Sequence, residues 1–279
     1  MFTTLLAFAL TQPPQPLQLS WTVGDVATYA ARQKTTVDEI LPNEITKKLQ
    51  SGGNIVTMAL TYTWTVAEIS PAGVATLHKR VTSLKSETKR TIPGKDGQPT
   101  TETDILDSSL AADREKMPFL NKVAVIAKVD RKGAVIEASS DFGQAAVDRF
   151  KTELPFRMTL PAQAPSMGQS FTREYAITLD PKYGGTGEQY PVVQTATYKG
   201  TNGSFSVFGI ASRLKSEPKT AMELRPLIPL LWEGDVFFDS AKGKYHACQL
   251  TATRELKDHE GEGTKFAYRS EYTEALQAK

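Results

Sequence analysis

The chain has 279 residues carrying 33 basic and 31 acidic side chains, for a formal charge of +2. A chain of that length buries a core without help from disulfides or metals, and so even a charge balance argues against the basic stripe of a nucleic-acid binder. The lone cysteine, Cys248, excludes an internal disulfide and a cysteine-built zinc site.

The first residues, "MFTTLLAFALTQPPQPLQ", are apolar from Phe2 to Leu10 apart from two threonines. They contain the small-x-small triplet Ala7-Phe8-Ala9. The stretch resembles a secretory signal peptide ending near residue 12. It implies an exported protein, periplasmic or extracellular, with no cysteine near residue 20 to carry a lipid. A transmembrane helix is not expected, because one needs about 18 or more apolar residues. The remainder divides into a β-rich half with a helix, 18–154, and a second β-rich half, 160–279.

"WTVGDVATY" (Trp21 to Tyr29) places Gly24-Asp25 just before alternating residues. "WEGDVFFD" (Trp232 to Asp239) does the same with Gly234-Asp235, and "MGQSFTREY" from Met167 is a degenerate third copy. No Gly-rich cradle accompanies the motif and no helix follows to supply amide donors. It therefore reads as a strand start and not as a binding loop.

The strongest strand signal is "VTMALTYTWTV", Val56 to Val66. Val56, Met58, Leu60, Tyr62, Trp64 and Val66 share one face, and threonines dominate the other. A turn at Ser70-Pro71-Ala72-Gly73 returns the chain through Val74 to Leu84. Thr88 to Thr103 holds Pro, Gly, Lys and Asp without periodicity and predicts a mobile loop. "VAVIAKVDRKGAVIEAS" predicts a second hairpin turning at Asp130 to Gly133. In "SSDFGQAAVDRFKTEL", Phe142, Ala146, Phe150 and Leu154 recur at helical spacing, and Pro155 follows. The spacing predicts an α-helix over 141–154.

Arg173 to Leu179, Val192 to Lys199 and Ser204 to Ala211 read as strands, the last two joined by a turn at Gly200 to Gly203. "LRPLIPLLW" is apolar, but Pro226 and Pro229 bar it from a sheet interior. It predicts an extended connector laid over a core face. The last third predicts a three-strand meander turning at Asp239 to Gly243 and at Asp258 to Gly263, with Phe266, Tyr268 and Tyr272 on one face. The fold expected is mainly antiparallel β (an α+β protein), with curved sheets or a half-barrel. A flat two-sheet sandwich is the alternative.

Chemistry is sparsely signalled, and no catalytic, cofactor-binding or metal-ligating residue is assigned. His78, His246 and His259 lack metal-ligand spacing. His259 lies in "KDHEGEG", a charged hairpin tip without the calcium-loop pattern. Cys248 has His246 two residues away on the same strand face, but a buried structural cysteine is the commoner case. Ser212 and Lys215 form Ser-x-x-Lys, yet on a strand residues three apart point to opposite faces. The aromatic set Tyr62, Trp64, Trp232, Phe266, Tyr268 and Tyr272 suits either a ligand-lining surface on a concave sheet face or ordinary core.

Gly24-Asp25 with Tyr29, the Trp64 hairpin with Gly73, the "VDRKGAVI" turn, the helix, "LPAQAPSMGQSF" and "GDVFFDSAKG" occur in that order. This order resembles a poorly characterised family of exported β-rich bacterial proteins. The resemblance implies an envelope location and defines no catalytic residues. Long hairpins plus a helix are also similar to the half-barrel of periplasmic lipoprotein carriers. The expectation is a non-enzymatic protein binding an apolar small molecule on a concave sheet face. A structural or protein-interaction module of the envelope is the alternative and a hydrolase a minor one.

Overall fold

Alternation of apolar and threonine-rich positions carries most of the described residues into strands. The computed structural model describes residues 16–42, 47–93, 99–143, 147, 150, 158–179 and 187–278. The expected signal peptide, 1–12, lies outside them. The strands are β1 (Val26–Pro42), β2 (Leu49–Ile69), β3 (Ala75–Pro93), β4 (Pro99–Asp107), β5 (Val123–Val129) and β6 (Val135–Ser139). The second half adds β7 (Ser170–Thr178), β8 (Gln189–Asn202), β9 (Phe205–Leu214), β10 (Glu233–Asp239), β11 (Lys244–Lys257) and β12 (Lys265–Leu276).

All twelve belong to one open antiparallel sheet, ordered β6-β5-β3-β2-β1-β12-β11-β10-β9-β8-β7, with β4 also paired to β3. The sandwich alternative is thereby set aside, and the mainly antiparallel, curved fold is what the chain adopts. Stretches 18–154 and 160–279 meet at the β1–β12 ladder, which runs from Tyr29 opposite Leu276 to Ile40 opposite Lys265.

One sheet face is largely apolar. Tyr29 and Ala31 on β1, Tyr62, Trp64 and Val66 on β2, and Leu77 on β3 are buried there. Across the sheet Phe208, Val236, Leu250 and Tyr272 occupy the same face and the same core. Bulges bend the sheet around that core, at Thr61/Tyr62 and Val66/Glu68 between β2 and β3, and at Phe237/Phe238 between β10 and β11. The curl is measurable at one end. Five strand spacings separate β5 from β11 along the sheet, about 24 Å if it were flat. Yet a Cβ on Gly133, in the β5–β6 turn, would lie 3.4 Å from the Tyr245 hydroxyl on β11.

The N-terminal segment straps this end shut. Leu19 N–H donates to Arg131 O (2.7 Å) in the β5–β6 turn, and Ser20 N–H donates to Gly243 O (2.9 Å) in the β10–β11 turn. Leu160 N–H donates to Lys132 O (2.7 Å), and the Tyr245 hydroxyl donates to Met158 O (2.9 Å). Of the expected helix over 141–154, Val147 and Phe150 are helical and buried. Residues 144–146, 148–149 and 151–154 lie outside the described set.

Two expectations are corrected. Thr88 to Thr103 is not a loop throughout: β3 continues to Pro93, and β4 begins at Pro99 in register with it. Lys89 to Ile92 and Pro99 to Asp104 are exposed on both faces, so backbone pairing forms this hairpin without a hydrophobic signature. The connector before Trp232 is not extended. A short helix α1 (Ala111–Arg114) follows β4, and the connector forms the short helix α2 (Ala221–Leu224) followed by a 3₁₀ turn at Ile228–Leu230. Pro229 suits the start of that turn, where no N–H is required. The connector does cover core, with Leu227 and Ile228 buried.

The Gly-Asp pairs serve strand geometry. Gly24 (φ +85°) and Gly168 (φ +82°) precede β1 and β7. Gly234 (φ +140°) lies inside β10, where a Cβ would fall 2.1 Å from Gln249 O.

Candidate ligand pocket where two strands part

The six aromatic residues singled out from the sequence share the concave face and the same buried core. Tyr62 is fully buried, and Trp64, Trp232, Phe266, Tyr268 and Tyr272 are nearly so. Tyr62 stacks on Tyr29 (5.6 Å between centroids), and Trp64 packs against Phe150 (5.7 Å). Trp232 meets Tyr272 (5.9 Å), while Phe266 lies under the Arg225 guanidinium at 4.4 Å. The space left beside Trp64, under Leu19 and Trp21, is about 20 Å³. That is room for about one water, so this part of the stripe packs as core.

Charge is nevertheless buried in it. The Lys79 ammonium lies 4.5 Å above the Tyr62 ring and 5.8 Å from Trp64, a cation–π arrangement. The buried Glu274 carboxylate accepts from the Tyr272 hydroxyl. Burial, with the Glu274 charge adding to it, pushes the Tyr29 and Tyr62 hydroxyls well above the usual phenol range.

A larger opening results from strand lengths. β10 begins at Glu233, whereas its neighbours run on, β9 to Leu214 and β11 to Lys257. Beyond Glu233 those neighbours part, and the α2–3₁₀ segment crosses beside the gap. The cavity left is about 420 Å³, within the range of small-molecule sites. Leu214, Leu224, Ile228 and Leu231 supply its apolar wall, with Ser212 and Thr253 at the strand ends. Four charges stand around it: Arg213, Glu217, Glu233 and Arg254. Arg254 donates to Glu217 at 2.7 Å. Trp232 adjoins this site, its carbonyl accepting from Ser212 N–H at 3.0 Å.

The connector that walls the cavity is itself anchored. Thr220 caps α2 by accepting from Glu223 N–H (3.3 Å). Arg225 pairs with Glu39 at the far end of β1 and with Glu260 (3.3 Å) in the β11–β12 turn. A second, shallower depression of about 370 Å³ lies on the outer face, over Thr57 and Ala59, flanked by Arg32, Lys34 and Glu271.

The remaining sequence candidates are placed apart. Lys215 donates to Glu174 (2.5 Å), while Ser212 accepts from Gln194 (3.3 Å), so no amine meets that hydroxyl. Cys248 is buried, and His246 stacks on Phe205 at 4.2 Å. His78 sits on β3 opposite Thr65. The His259 side chain is 1% exposed, with Nε2 3.7 Å from Glu260. Among the described residues no three His, Cys, Asp or Glu side chains are arranged to hold a metal ion, and no helix is long and apolar enough to cross a membrane.

Sequence reasoning missed the parting of β9 and β11. The signal lay in the proline pair Pro226 and Pro229, which delays the start of β10.

No family model matches the chain, and no curated protein matches it. Among solved structures, lipovitellin, in a structure reported for its lipid–protein interactions, aligns over 93% of this chain with a TM-score of 0.50 and 9% identity. The alignment takes in 26% of that chain, so this protein spans about a quarter of its length. At 9% identity the likeness is one of fold.

Proposed function

We propose that the protein is an exported, non-enzymatic binder of an amphipathic, lipid-like molecule. The apolar part of that molecule occupies the cavity where β9 and β11 part. The observation that carries this reading is the cavity of about 420 Å³, with four aliphatic side chains on one wall and charges around it. A few polar groups set beside apolar walls are the usual make-up of a ligand site. The fold shared with lipovitellin, a protein reported for its lipid–protein interactions, supports the same reading. The test is titration with a fluorescent long-chain acyl probe. Saturable binding of one probe per chain is expected. Thr253→Trp, which fills the opening from an exposed strand position, should abolish it. Absent or unsaturable binding, or binding indifferent to Thr253→Trp, would refute the reading.

A second reading has its own observation. The sheet is open, with β6 and β7 at its ends, and Ile136 and Ile126 near the β6 edge are 60% and 40% exposed. Unpaired edges carrying apolar side chains recruit other strands. Association that disappears in Ile136→Lys, measured by light scattering, would favour an interaction module.

A further inference from the structure

Resting on the reading of the β9–β11 cavity as a lipid site, we infer that its ligand carries a zwitterionic headgroup. In this assignment Arg213 meets the anionic group and Glu233 the cationic one.

The four charges around the cavity are not equivalent. Glu217 and Arg254 neutralise each other at 2.7 Å. Among the described residues neither Arg213 nor Glu233 enters an ion pair, and both are exposed. Their relative placement follows from register. Glu233 is opposite Ala211, and Arg213 is two residues further along β9. Both side chains therefore project from the same face of the sheet, as diagonal neighbours roughly 7–8 Å apart at the backbone. The pair flanks the mouth of an apolar cavity and leaves two opposite charges unspent.

Headgroups differ in how they meet that mouth. A purely anionic group gains Arg213 but faces the Glu233 carboxylate, and like charges brought together are penalised. A neutral group leaves both side chains to water and gains nothing from either. A headgroup carrying a phosphate and an ammonium a few ångströms apart satisfies both at once. The aliphatic wall of Leu214, Leu224, Ile228 and Leu231 takes its acyl chain.

The experiment is calorimetric titration of the full chain, below the micelle concentration, with three single-chain amphiphiles of equal acyl length. These are a zwitterionic lysophosphatidylcholine, a neutral monoacylglycerol and an anionic fatty acid. The zwitterion is expected to bind about tenfold more tightly than either, about 1.4 kcal/mol. Arg213→Gln and Glu233→Gln should each weaken the zwitterion about fivefold to tenfold and leave the monoacylglycerol unchanged. Charge reversal at one position should weaken it further, and the double swap of Arg213→Glu with Glu233→Arg should recover part of the loss. Three equal affinities with silent variants would overturn the headgroup assignment while the cavity reading stands. Preference for the fatty acid would overturn it in favour of an anionic ligand. Binding by none of the three would overturn the cavity reading as well.

Discussion

Replacing Gly243 by alanine tests whether the N-terminal strap holds the curled sheet together. Gly243 has φ +59°, and Gly203, in the β8–β9 turn, has φ +61°. An L-residue in that region costs about 1–2 kcal/mol at either position. The surroundings differ. A Cβ on Gly203 meets nothing within 4 Å, whereas one on Gly243 falls 2.7 Å from Ser20 Cβ and 2.8 Å from both Gln18 O and Ser20 N. Those contacts are largely backbone, so the strap must lift. Lifting it breaks the Ser20–Gly243 and Leu19–Arg131 hydrogen bonds, each contributing about 1 kcal/mol. Gly243→Ala should therefore cost about 3–4 kcal/mol and Gly203→Ala about 1–2 kcal/mol. Parallel urea denaturation of the two variants measures the difference. Equal losses would show that the strap contributes nothing and would refute the account of how this end of the sheet is closed.

Three further outcomes follow from burial and charge. The Tyr29, Tyr62 and Tyr245 hydroxyls are held protonated in the fold, chiefly by burial. Unfolded tyrosines ionise near pH 10, so stability is complete below that pH and falls as pH rises beyond it. Phenolate absorbance should then show a fraction of tyrosines ionising only as the chain unfolds. At the acid end, a hydrogen bond from the Ser109 N–H lowers Asp107, and one from the Asp107 N–H lowers Asp113. Their stabilisation is present above about pH 4 and lost as pH falls below it. The protection factor of the Asp107 amide, its exchange rate relative to the intrinsic rate at the same pH, should fall on acidification, and at neutral pH in Asp113→Ala. Cys248, 1% exposed, should resist thiol reagents in the native protein and react on unfolding at the rate of global opening. Rapid native labelling would contradict its burial.

Much of the hairpin structure was legible because face and turn chemistry agree locally. The run from Val56 to Val66 alternates in sequence and in burial. The Asp130 carboxylate accepts from Lys132 N–H (2.8 Å) and Ala134 N–H (2.9 Å), the local bonding its turn suggested. The β3–β4 hairpin was hidden because both its faces meet water and only the backbone declares the pairing. The β1–β12 ladder joins Tyr29 to Leu276, a separation with no local trace. For the site, parity placed Tyr62 and Trp64 on one face of β2, and Phe266, Tyr268 and Tyr272 on one face of β12, but could not say what covers them. Phe150 and the strap cover part of the concave face. The charges around the cavity come from positions 213, 217, 233 and 254, which only the parting of two strands brings together.

The β1–β12 ladder lies at the middle of the sheet, and its two strands come from opposite ends of the described chain. During synthesis β1, β2 and β3 can pair long before β12 leaves the ribosome. One side of β1 must then wait as an open edge while more than 200 residues are made. At about 5–20 residues per second that wait is on the order of 10–50 s. Over that interval the side chains that will meet β12 face solvent or a chaperone. The strand at the centre of the finished sheet is therefore the one most exposed to mispairing while the protein is being born.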